Sequence, residues 1–418
     1  MAGAGYQGGA GRRKLSIVVV VILCLPILLL LPGVGSAAIR DWQSLVPPMT
    51  PKAHALETAG YVLFAAGLFI RAIFFTVLLT GRRAWRLQDA ITQRVRPRLL
   101  GAPVTLLIYL LLYQFARLPL AYAGYRVYHH YGISVQSTGR WFLDLGRGWA
   151  VQDCILIPVI LLLLFAMRRW PRVWWIIAAI GVAVVSAGVV YLAPLVIDPL
   201  YHHFTPLRDP GLRDAILALA RKAHVHVNGV YVGKFSSTTT EGNAYVTGLG
   251  SSQRIVLWDT ILKMYTPQEI QAIVAHELGH YALHHIAKGV AIGSAGSLLL
   301  FLITAGMVDR GMRGGWLRNR GEPATIVPAA ALILALNVLA LPATNFVSRT
   351  MESQADAFSL RITHHPDWFI AAMQRLSRQD YSDPWPNPFE KYVFYTHPSI
   401  SERIFAAVHY AEEHRLKT

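Results

Sequence analysis

The chain has 418 residues, of which 54% are hydrophobic and only 15% are charged, and it carries a formal net charge of +16. Together with a mean hydropathy of +0.39, this composition excludes an ordinary soluble domain and predicts a mainly α-helical protein with several membrane spans. The positive charge does not indicate a nucleic-acid partner, because the sequence has no nucleic-acid-binding motif and its arginines gather in short loops beside apolar segments, where membrane topology accounts for them.

Seven apolar segments are predicted to cross the membrane, since a hydrocarbon core of about 30 Å takes about 20 mostly apolar residues. They are residues 15–34, 58–80, 103–125, 150–167, 173–197, 289–308 and 324–347. The first segment also fits a cleaved secretory signal, because Arg12, Arg13 and Lys14 precede it and small residues follow it. Its apolar run is longer than that of a typical signal, which favours a retained helix.

Three ionisable side chains, Arg71, Arg117 and Asp153, fall within these spans. Charged groups at bilayer depth usually face the interior of a helix bundle or a water-filled cavity. Two interpretations remain open: the three residues pair with one another and orient the helices, or they line a substrate chamber.

Two polar segments are expected to hold the aqueous chemistry. The predicted division is a membrane domain with five spans over residues 1–197, a folded domain outside the lipid over 198–288, two further spans over 289–347, and a C-terminal segment over 348–418. Because the two spans between the polar segments would form a hairpin, both segments would lie on the same face of the membrane.

The first polar segment contains two stretches that alternate apolar and polar residues, "NGVYVGKF" at 228–235 and "NAYVTGLGSSQRIVLW" at 243–258. Such alternation around turn-rich connections predicts a small antiparallel sheet. An exposed strand edge of this sheet could bind an extended peptide through backbone hydrogen bonds.

A helix is predicted to begin directly after the sheet. Thr266 is followed by Pro267 at the first helical position and by Glu269 three residues on, which is the pattern of a capping box. The sequence that follows, "AHELGHYALHH" at 275–285, therefore lies on a well-started helix.

This helix carries the pattern of a zinc peptidase. His276 and His280 are four residues apart, so they share a helix face and can place two imidazole nitrogens about 2.0–2.1 Å from one zinc ion. Glu277 projects beside the pair, where a general base can reach a zinc-bound water. His284 and His285 are interpreted as residues behind the ligands or as part of a solvated face.

A third ligand is expected after the seventh span. Metzincins would have Gly and His where this chain has Leu283 and Ile286, and no Leu-Asp-Gly motif of an intramembrane protease is present. In "SRTMESQADAF" at 348–358, Glu352 and Asp356 stand four residues apart on a predicted helix. Glu352 would bind zinc and Asp356 would hold a ligand histidine in its tautomer; two acids on an exposed helix face are the alternative.

These residues resemble those of the type I CAAX prenyl protease family of integral-membrane zinc metalloproteases. The resemblance covers nearly the whole chain, and its motifs occur in the family's order. The motifs are "FTPL" at 204–207, "NAYVTGLGSSQRIVLWDTIL" at 243–262, "HELGH" at 276–280, "SRTMESQADAF" at 348–358 and "THPSISERI" at 396–404.

The resemblance implies seven helices that enclose a large chamber, with a small α/β zinc-metalloprotease domain between helices 5 and 6 that the C-terminal segment completes. It implies that His276, His280 and Glu352 bind one zinc ion per chain, with Glu277 as base and Asp356 behind the ligands. The zinc site would cap the chamber at one end.

The resemblance also implies roles for four positions that carry no clear signal of their own. His397 would lie near the metal and stabilise the tetrahedral oxyanion, and Arg403 would anchor the local structure. Asn243 and Ala244 match the edge positions that bind substrate, and an ordinary strand start is the alternative for them.

The predicted function is that of a membrane-embedded zinc metalloendopeptidase. Its partners would be the lipid bilayer and a peptide or protein substrate, and the resemblance implies a substrate with a prenylated C-terminal CAAX sequence. Alternatives are a quality-control protease for membrane proteins and a non-enzymatic chamber, transport or scaffold protein with a structural zinc. The intact Glu277 argues against the non-enzymatic alternative.

Charge bias predicts the orientation. If all seven segments cross, one side carries 16 lysines and arginines in its tail and short loops, and the other carries 5. Because basic loops stay on the cytoplasmic side, the zinc domain is expected to be extracytoplasmic, in the inner membrane of a bacterium or an internal membrane of a eukaryote.

Overall fold

The structure is a computed structural model that describes residues 42–248 and 252–418. Six of its helical stretches are long and apolar enough to cross a membrane, and they follow the order of the second to seventh predicted spans: Pro51–Arg94, Arg98–His130, Thr138–Arg169, Trp174–Tyr201, His285–Arg313 and Pro323–Thr363. The prediction of a mainly helical, multi-pass membrane protein is confirmed. The predicted first span, 15–34, lies outside the described residues.

The N-terminal half contains four of these spans and one shorter helix. The helices are α1 (Pro51–Leu79), α2 (Arg83–Arg94), α3 (Gly101–His130), α4 (Thr138–Arg169) and α5 (Trp174–Leu192). α1 begins where Thr50 Oγ1 accepts a hydrogen bond from the Ala53 amide, with Pro51 at the first helical position. Gly81, at φ 61°, turns the chain out of α1, so that α2 buries Trp85 and Ile91.

The ionisable residues within the spans have uncharged partners. Asp153 accepts a hydrogen bond from Gln114 Nε2 at 2.9 Å. Arg71 Nε donates to the Tyr113 hydroxyl at 3.2 Å, and the Arg117 guanidinium lies 5.3 Å from the centre of the same ring. Arg71, Arg117 and Asp153 therefore orient α1, α3 and α4 through neutral side chains, and the interpretation in which the three pair with one another is wrong.

A four-stranded sheet follows α5, in the order β1-β2-β4-β3. Its strands are β1 (Phe204–Pro206), β2 (Val230–Gly233), β3 (Ala244–Thr247) and β4 (Arg254–Trp258). The predicted β3–β4 hairpin is antiparallel, but β2 and β4 are parallel, so the expectation of a wholly antiparallel sheet is wrong. After β2, residues 234–243 lead the chain to the far edge of the sheet, where β3 lies. The β3–β4 hairpin then turns back, so that β4 lies between β3 and β2.

Two helices pack on this sheet, α6 (Pro210–Lys222) and α7 (Pro267–Ala282). α7 begins at the predicted capping box: the Glu269 amide donates to Thr266 Oγ1, and the Thr266 amide donates to Glu269 Oε2. The core between sheet and helices is fully buried and apolar, and includes Ile216, Ile255, Leu257, Val274 and Leu278. This packing fixes the helix that carries the histidine motif.

The C-terminal half contains α8 (His285–Arg313), α9 (Ile326–Thr363), α10 (Pro366–Asp380), α11 (Pro388–Phe394) and α12 (Ile400–His414). α9 is one helix of 38 residues, so the seventh predicted span continues without a break through the "SRTMESQADAF" motif. The boundary predicted at 347/348 falls inside this helix, and the division into four domains stays a prediction.

The two ends of the described membrane helices differ in structure. At one end the sheet, α7 and α10 to α12 lie together, and Val46 packs into the same core as Phe369 and Ile404. At the other end, the segment after α8 is held by arginines: Arg82 donates to the Gly315 carbonyl at 2.8 Å, and Arg318 forms an ion pair with Asp89 at 2.8 Å. The histidine motif therefore lies at the end opposite these arginine-rich loops.

Candidate active site

Three side-chain atoms with metal-binding chemistry converge where α7 crosses α9. The Nε2 atoms of His276 and His280 are 3.1 Å apart. Glu352 Oε2 lies 3.1 Å from His276 Nε2 and 3.6 Å from His280 Nε2. In the described ranges 42–248 and 252–418, these residues are the group of histidines, cysteines and acids that can hold a metal ion.

The separations of these atoms fit one tetrahedral metal ion. Bonds of about 2.0–2.1 Å at a tetrahedral angle would separate two ligand atoms by about 3.3 Å, and the observed separations are 3.1, 3.1 and 3.6 Å. Glu352 Oε2 is buried and receives no hydrogen bond. Such an orphaned buried oxygen is costly unless a cation satisfies it. Two imidazoles and one carboxylate are the ligand set of many catalytic zinc sites.

Asp356 and Arg403 set the tautomer of His276. Arg403 donates to both oxygens of Asp356, from Nε at 2.8 Å and from Nη2 at 2.6 Å. Burial opposes ionisation of Asp356, but the charge of Arg403 and the hydrogen bonds outweigh it and lower the pKa of Asp356 to about 2. Since the carboxylate can only accept, His276 Nδ1 donates to it at 2.8 Å. His276 Nε2 is thereby left with its lone pair towards His280 and Glu352.

Glu277 lies beside the three ligand atoms and lines a cavity. No hydrogen bond or ion pair within the described residues engages its carboxylate, and burial raises the pKa of Glu277. A carboxylate whose pKa is raised holds a proton more readily than an ordinary one, which suits it to accept and return a proton. The residue is placed for acid–base chemistry and is not one of the three converging groups.

The second histidine of the motif has a different neighbour. His280 Nδ1 lies 3.1 Å from His285 Nδ1, and His285 Nε2 lies 3.0 Å from Gln354 Oε1. His285 is 4% exposed, and burial lowers its pKa. From the sequence, His285 was either a residue behind the ligands or part of a solvated face. In the structure it is buried behind His280.

His397 reaches the same site from the segment before α12. Its Nε2 is 3.4 Å from Glu352 Oε2, and its Nδ1 is 2.9 Å from Thr396 Oγ1. The segment is fastened to α9 by buried Arg349, which donates to the carbonyls of Lys391 and Tyr395. Because its side chain is 56% exposed, His397 can meet a substrate in the cavity.

The cavity next to the site has a volume of about 790 Å³ and joins it to the first described membrane helix. Leu56, Gly60 and Phe64 of α1 line one side, and Glu277 and His397 line the other. This volume is of the size that holds a short peptide segment or a drug-sized ligand. The cavity brings the apolar surface of a membrane span and the polar chemistry of α7 into one space.

Asn243 and Ala244 lie at the edge of the sheet, where none of the strands in the described residues pairs with the outer side of β3. The Asn243 carbonyl accepts from the Trp258 amide at 2.9 Å, so the Ala244 amide points away from β4. Asn243 is exposed and lines the cavity, and its Oδ1 accepts from the Ala244 amide at 2.7 Å. This geometry leaves a strand edge facing the cavity.

The sequence interpretation missed one group of polar residues in the cavity wall. Tyr61 and Tyr395 both donate to Glu57 Oε1, at 3.0 and 2.8 Å. The spacing of Glu57 and Tyr61 by four residues on α1 was the available signal, but nothing in the sequence identifies Tyr395 as their partner. The group attaches α1 to the segment that carries His397.

Residues 206–411 of the chain match the model of peptidase family M48, and residues 53–203 match the model described as CAAX prenyl protease N-terminal, five membrane helices. The chain is 31% identical over 350 residues to an uncharacterized metalloprotease, YhfN, of Bacillus subtilis, covering 82% of this chain and 81% of that protein. It is 26% identical over 317 residues to CAAX prenyl protease 1 of Saccharomyces cerevisiae, covering 71% of this chain and 69% of that protein.

The crystal structure of Ste24p of S. mikatae has the same fold. It superposes with a TM-score of 0.74 at 21% sequence identity, and the match covers 88% of this chain and 93% of that chain. The family, and not only the fold, is shown by two findings. These are the match with YhfN over four-fifths of both proteins and the matches with the two adjoining family models. The chain belongs to peptidase family M48 and is an integral-membrane metalloprotease.

Proposed function

We propose that the chain is a zinc endopeptidase in which His276, His280 and Glu352 hold one Zn²⁺ ion. The observation that carries this proposal is the convergence of their three ligand atoms at separations of 3.1, 3.1 and 3.6 Å, one of them a buried oxygen without a hydrogen-bond donor. M48 metalloproteases depend on zinc in general, and the chain is a member of that family. Three protein ligands leave a fourth position open, as catalytic zinc sites do.

A bound zinc ion would supply a water of lowered pKa and would polarise the scissile carbonyl. Glu277 takes the proton of the attacking water and then returns it to the leaving amine, which its raised pKa favours. His397 donates a hydrogen bond from Nε2 to the oxyanion of the tetrahedral intermediate, since this nitrogen lies 3.4 Å from Glu352 Oε2 and the residue lines the cavity.

The remaining residues orient these groups and the substrate. Asp356 holds His276 with Nδ1 protonated, and Arg403 keeps Asp356 ionised and anchors α12 to α9. Asn243 and Ala244 bind the backbone of an extended peptide along β3, which places the scissile bond beside Glu277 in the cavity. Backbone binding of this kind holds a peptide with little dependence on its side chains.

We place the substrate among proteins with a prenylated C-terminal CAAX sequence. The support is the cavity wall contributed by α1, where Leu56, Gly60 and Phe64 present an apolar surface within reach of Glu277. Relatives named CAAX prenyl protease 1 add to it. A quality-control protease for membrane proteins is the second candidate, and the strand edge of β3 favours it equally, because backbone recognition requires no lipid.

One cleavage assay separates the candidates. Purified protein is incubated with a farnesylated CAAX peptide, its unprenylated twin and an unfolded polypeptide, each with and without a zinc chelator. The proposal predicts cleavage of the farnesylated peptide in preference to its twin, and loss of cleavage with the chelator. Equal cleavage of all three would favour the quality-control function, and chelator-resistant cleavage would contradict a zinc mechanism.

We further propose that the membrane helices of the described residues enclose a chamber continuous with the cavity. The described parts of the predicted membrane domains, 42–197 and 289–347, would form its wall, and 198–288 with 348–418 would form the catalytic part. The catalytic end faces away from the cytoplasm in this proposal. The support is the opposite end, where residues 81–102, 168–172 and 309–323 together carry thirteen arginines and no lysine.

A further inference from the structure

We propose that His285 and Gln354 are positioning residues for zinc binding, because they form a directed hydrogen-bond chain that fixes the tautomer of His280. The inference rests on the proposed function, in which His280 binds the metal through Nε2. It concerns residues that the proposed mechanism does not use and that are neither ligands nor acid–base groups.

The chain of atoms arises at the junction of two helices. α7 ends at Ala282, His284 takes a left-handed conformation at φ 56°, and α8 begins at His285. This turn brings the His285 ring behind His280, with 3.1 Å between their Nδ1 atoms. From the other side, α9 supplies Gln354, whose Oε1 lies 3.0 Å from His285 Nε2. His285 is 4% exposed, so its ring is shielded from water, whereas Gln354 is exposed and reaches the ring from the surface of α9.

The protons in this chain can be assigned in only one way that allows metal binding. Gln354 Oε1 accepts, so His285 Nε2 carries a proton and donates it. His285 Nδ1 then has a lone pair and accepts from His280 Nδ1. A neutral His280 with its proton on Nδ1 has its lone pair on Nε2, the atom that faces His276 Nε2 and Glu352 Oε2.

The opposite direction excludes the metal. If the amide of Gln354 were reversed, its NH₂ would donate to His285 Nε2, and His285 Nδ1 would donate to His280 Nδ1. His280 would then carry its proton on Nε2, where the metal must bind. The amide orientation of Gln354 therefore decides whether His280 is a ligand.

The two ligand histidines are thus held by different chemistry. His276 is oriented by the ionised carboxylate of Asp356, whereas His280 is oriented by a neutral imidazole and a neutral amide. A neutral chain adds no negative charge behind the site. It also depends wholly on hydrogen-bond direction, which makes an acceptor at position 354 its essential feature.

The test measures zinc affinity by chelator competition on the purified full-length protein, together with the melting temperature of the metal-free form. His285→Phe removes both hydrogen bonds but keeps a ring, and Gln354→Leu removes the acceptor from an exposed position. Both are expected to weaken zinc binding about 10- to 100-fold, as losses behind a ligand do. Gln354→Glu supplies an acceptor again and should restore affinity to at least that of the wild type.

His284→Asn is the matched control, because His284 is exposed, adjoins His285, and has a left-handed backbone that asparagine tolerates. It should bind zinc as the wild type does. Wild-type affinity in both His285→Phe and Gln354→Leu would overturn the inference, as would equal losses in Gln354→Leu and Gln354→Glu. Failure of the proposed function looks different: the wild type would then bind no zinc, or His280→Ala would bind it fully.

Discussion

The ion pair behind the proposed zinc site offers a test in which the effects of one substitution on stability and on metal binding can be separated. Asp356 is 3% exposed and Arg403 is 6% exposed, and each depends on the other for compensation of its charge. Replacing Asp356 alone leaves the Arg403 guanidinium buried and unpaired. Breaking a buried pair in this way costs about 3–5 kcal/mol in the free energy of unfolding.

Asp356→Leu has a second effect, because Asp356 also accepts the hydrogen bond from His276 Nδ1 at 2.8 Å. Without this acceptor the tautomer of His276 is no longer fixed, and zinc affinity should fall about 10- to 100-fold. Arg403→Met in the same chain removes the unpaired charge and should restore most of the lost stability, since buried pairs are often replaceable by apolar side chains. It supplies no acceptor, so zinc affinity should stay low.

The assay is thermal unfolding of the metal-free proteins, so that zinc itself adds no stability, alongside chelator competition for zinc affinity. We expect the single variant to be low in both measurements and the double variant to be low only in affinity. Recovery of zinc affinity together with stability in the double variant would refute the reasoning, because Asp356 would then act through the fold alone.

Three further outcomes are expected. Asn243→Ala should raise KM or lower turnover on every cleaved peptide without changing zinc content, because the proposed function has Asn243 bind the substrate backbone. Unchanged kinetics would leave Asn243 as an ordinary strand residue. Asp380 is exposed towards the cavity that it lines, and desolvation by the cavity wall raises the pKa of its carboxyl group to about 6. The fold therefore penalises the ionised form, so Asp380→Asn should raise the melting temperature more at about pH 8 than at about pH 5. An equal gain at both pH values would contradict this. A cysteine is placed at Thr418 in a chain from which the two native cysteines, Cys24 and Cys154, have been removed. It should react in intact cells with a membrane-impermeant thiol reagent, and labelling only after lysis would reverse the proposed orientation.

Signals between residues close in sequence were sufficient to predict the helices and the histidine motif. Thr266, Pro267 and Glu269 predicted the start of α7, and both capping hydrogen bonds are present there. The four-residue spacing of His276 and His280 placed the two rings on one face, with their Nε2 atoms 3.1 Å apart. These signals suffice because a helix fixes the geometry of neighbours along the chain.

Contacts between segments distant in sequence could not be predicted from such signals. The parallel pairing of β2 with β4 depends on which edge the chain reaches after residue 233, and alternation of residue types is the same for both directions. Gln354 and His285 are 69 residues apart and meet only because α9 crosses the junction of α7 and α8. Likewise, the partner of Asp153 is Gln114 and not an arginine, because the packing of α3 on α4 places these two side chains together.

The central claim is that one zinc ion bound by His276, His280 and Glu352 activates water for Glu277. The most direct measurement determines zinc content and peptide cleavage on the same preparations of Glu277→Gln and Glu352→Gln. The account predicts about one zinc per chain without cleavage in Glu277→Gln, and loss of both in Glu352→Gln, because only the second residue is a ligand. Zinc lost from Glu277→Gln, or retained in full by Glu352→Gln, would contradict it.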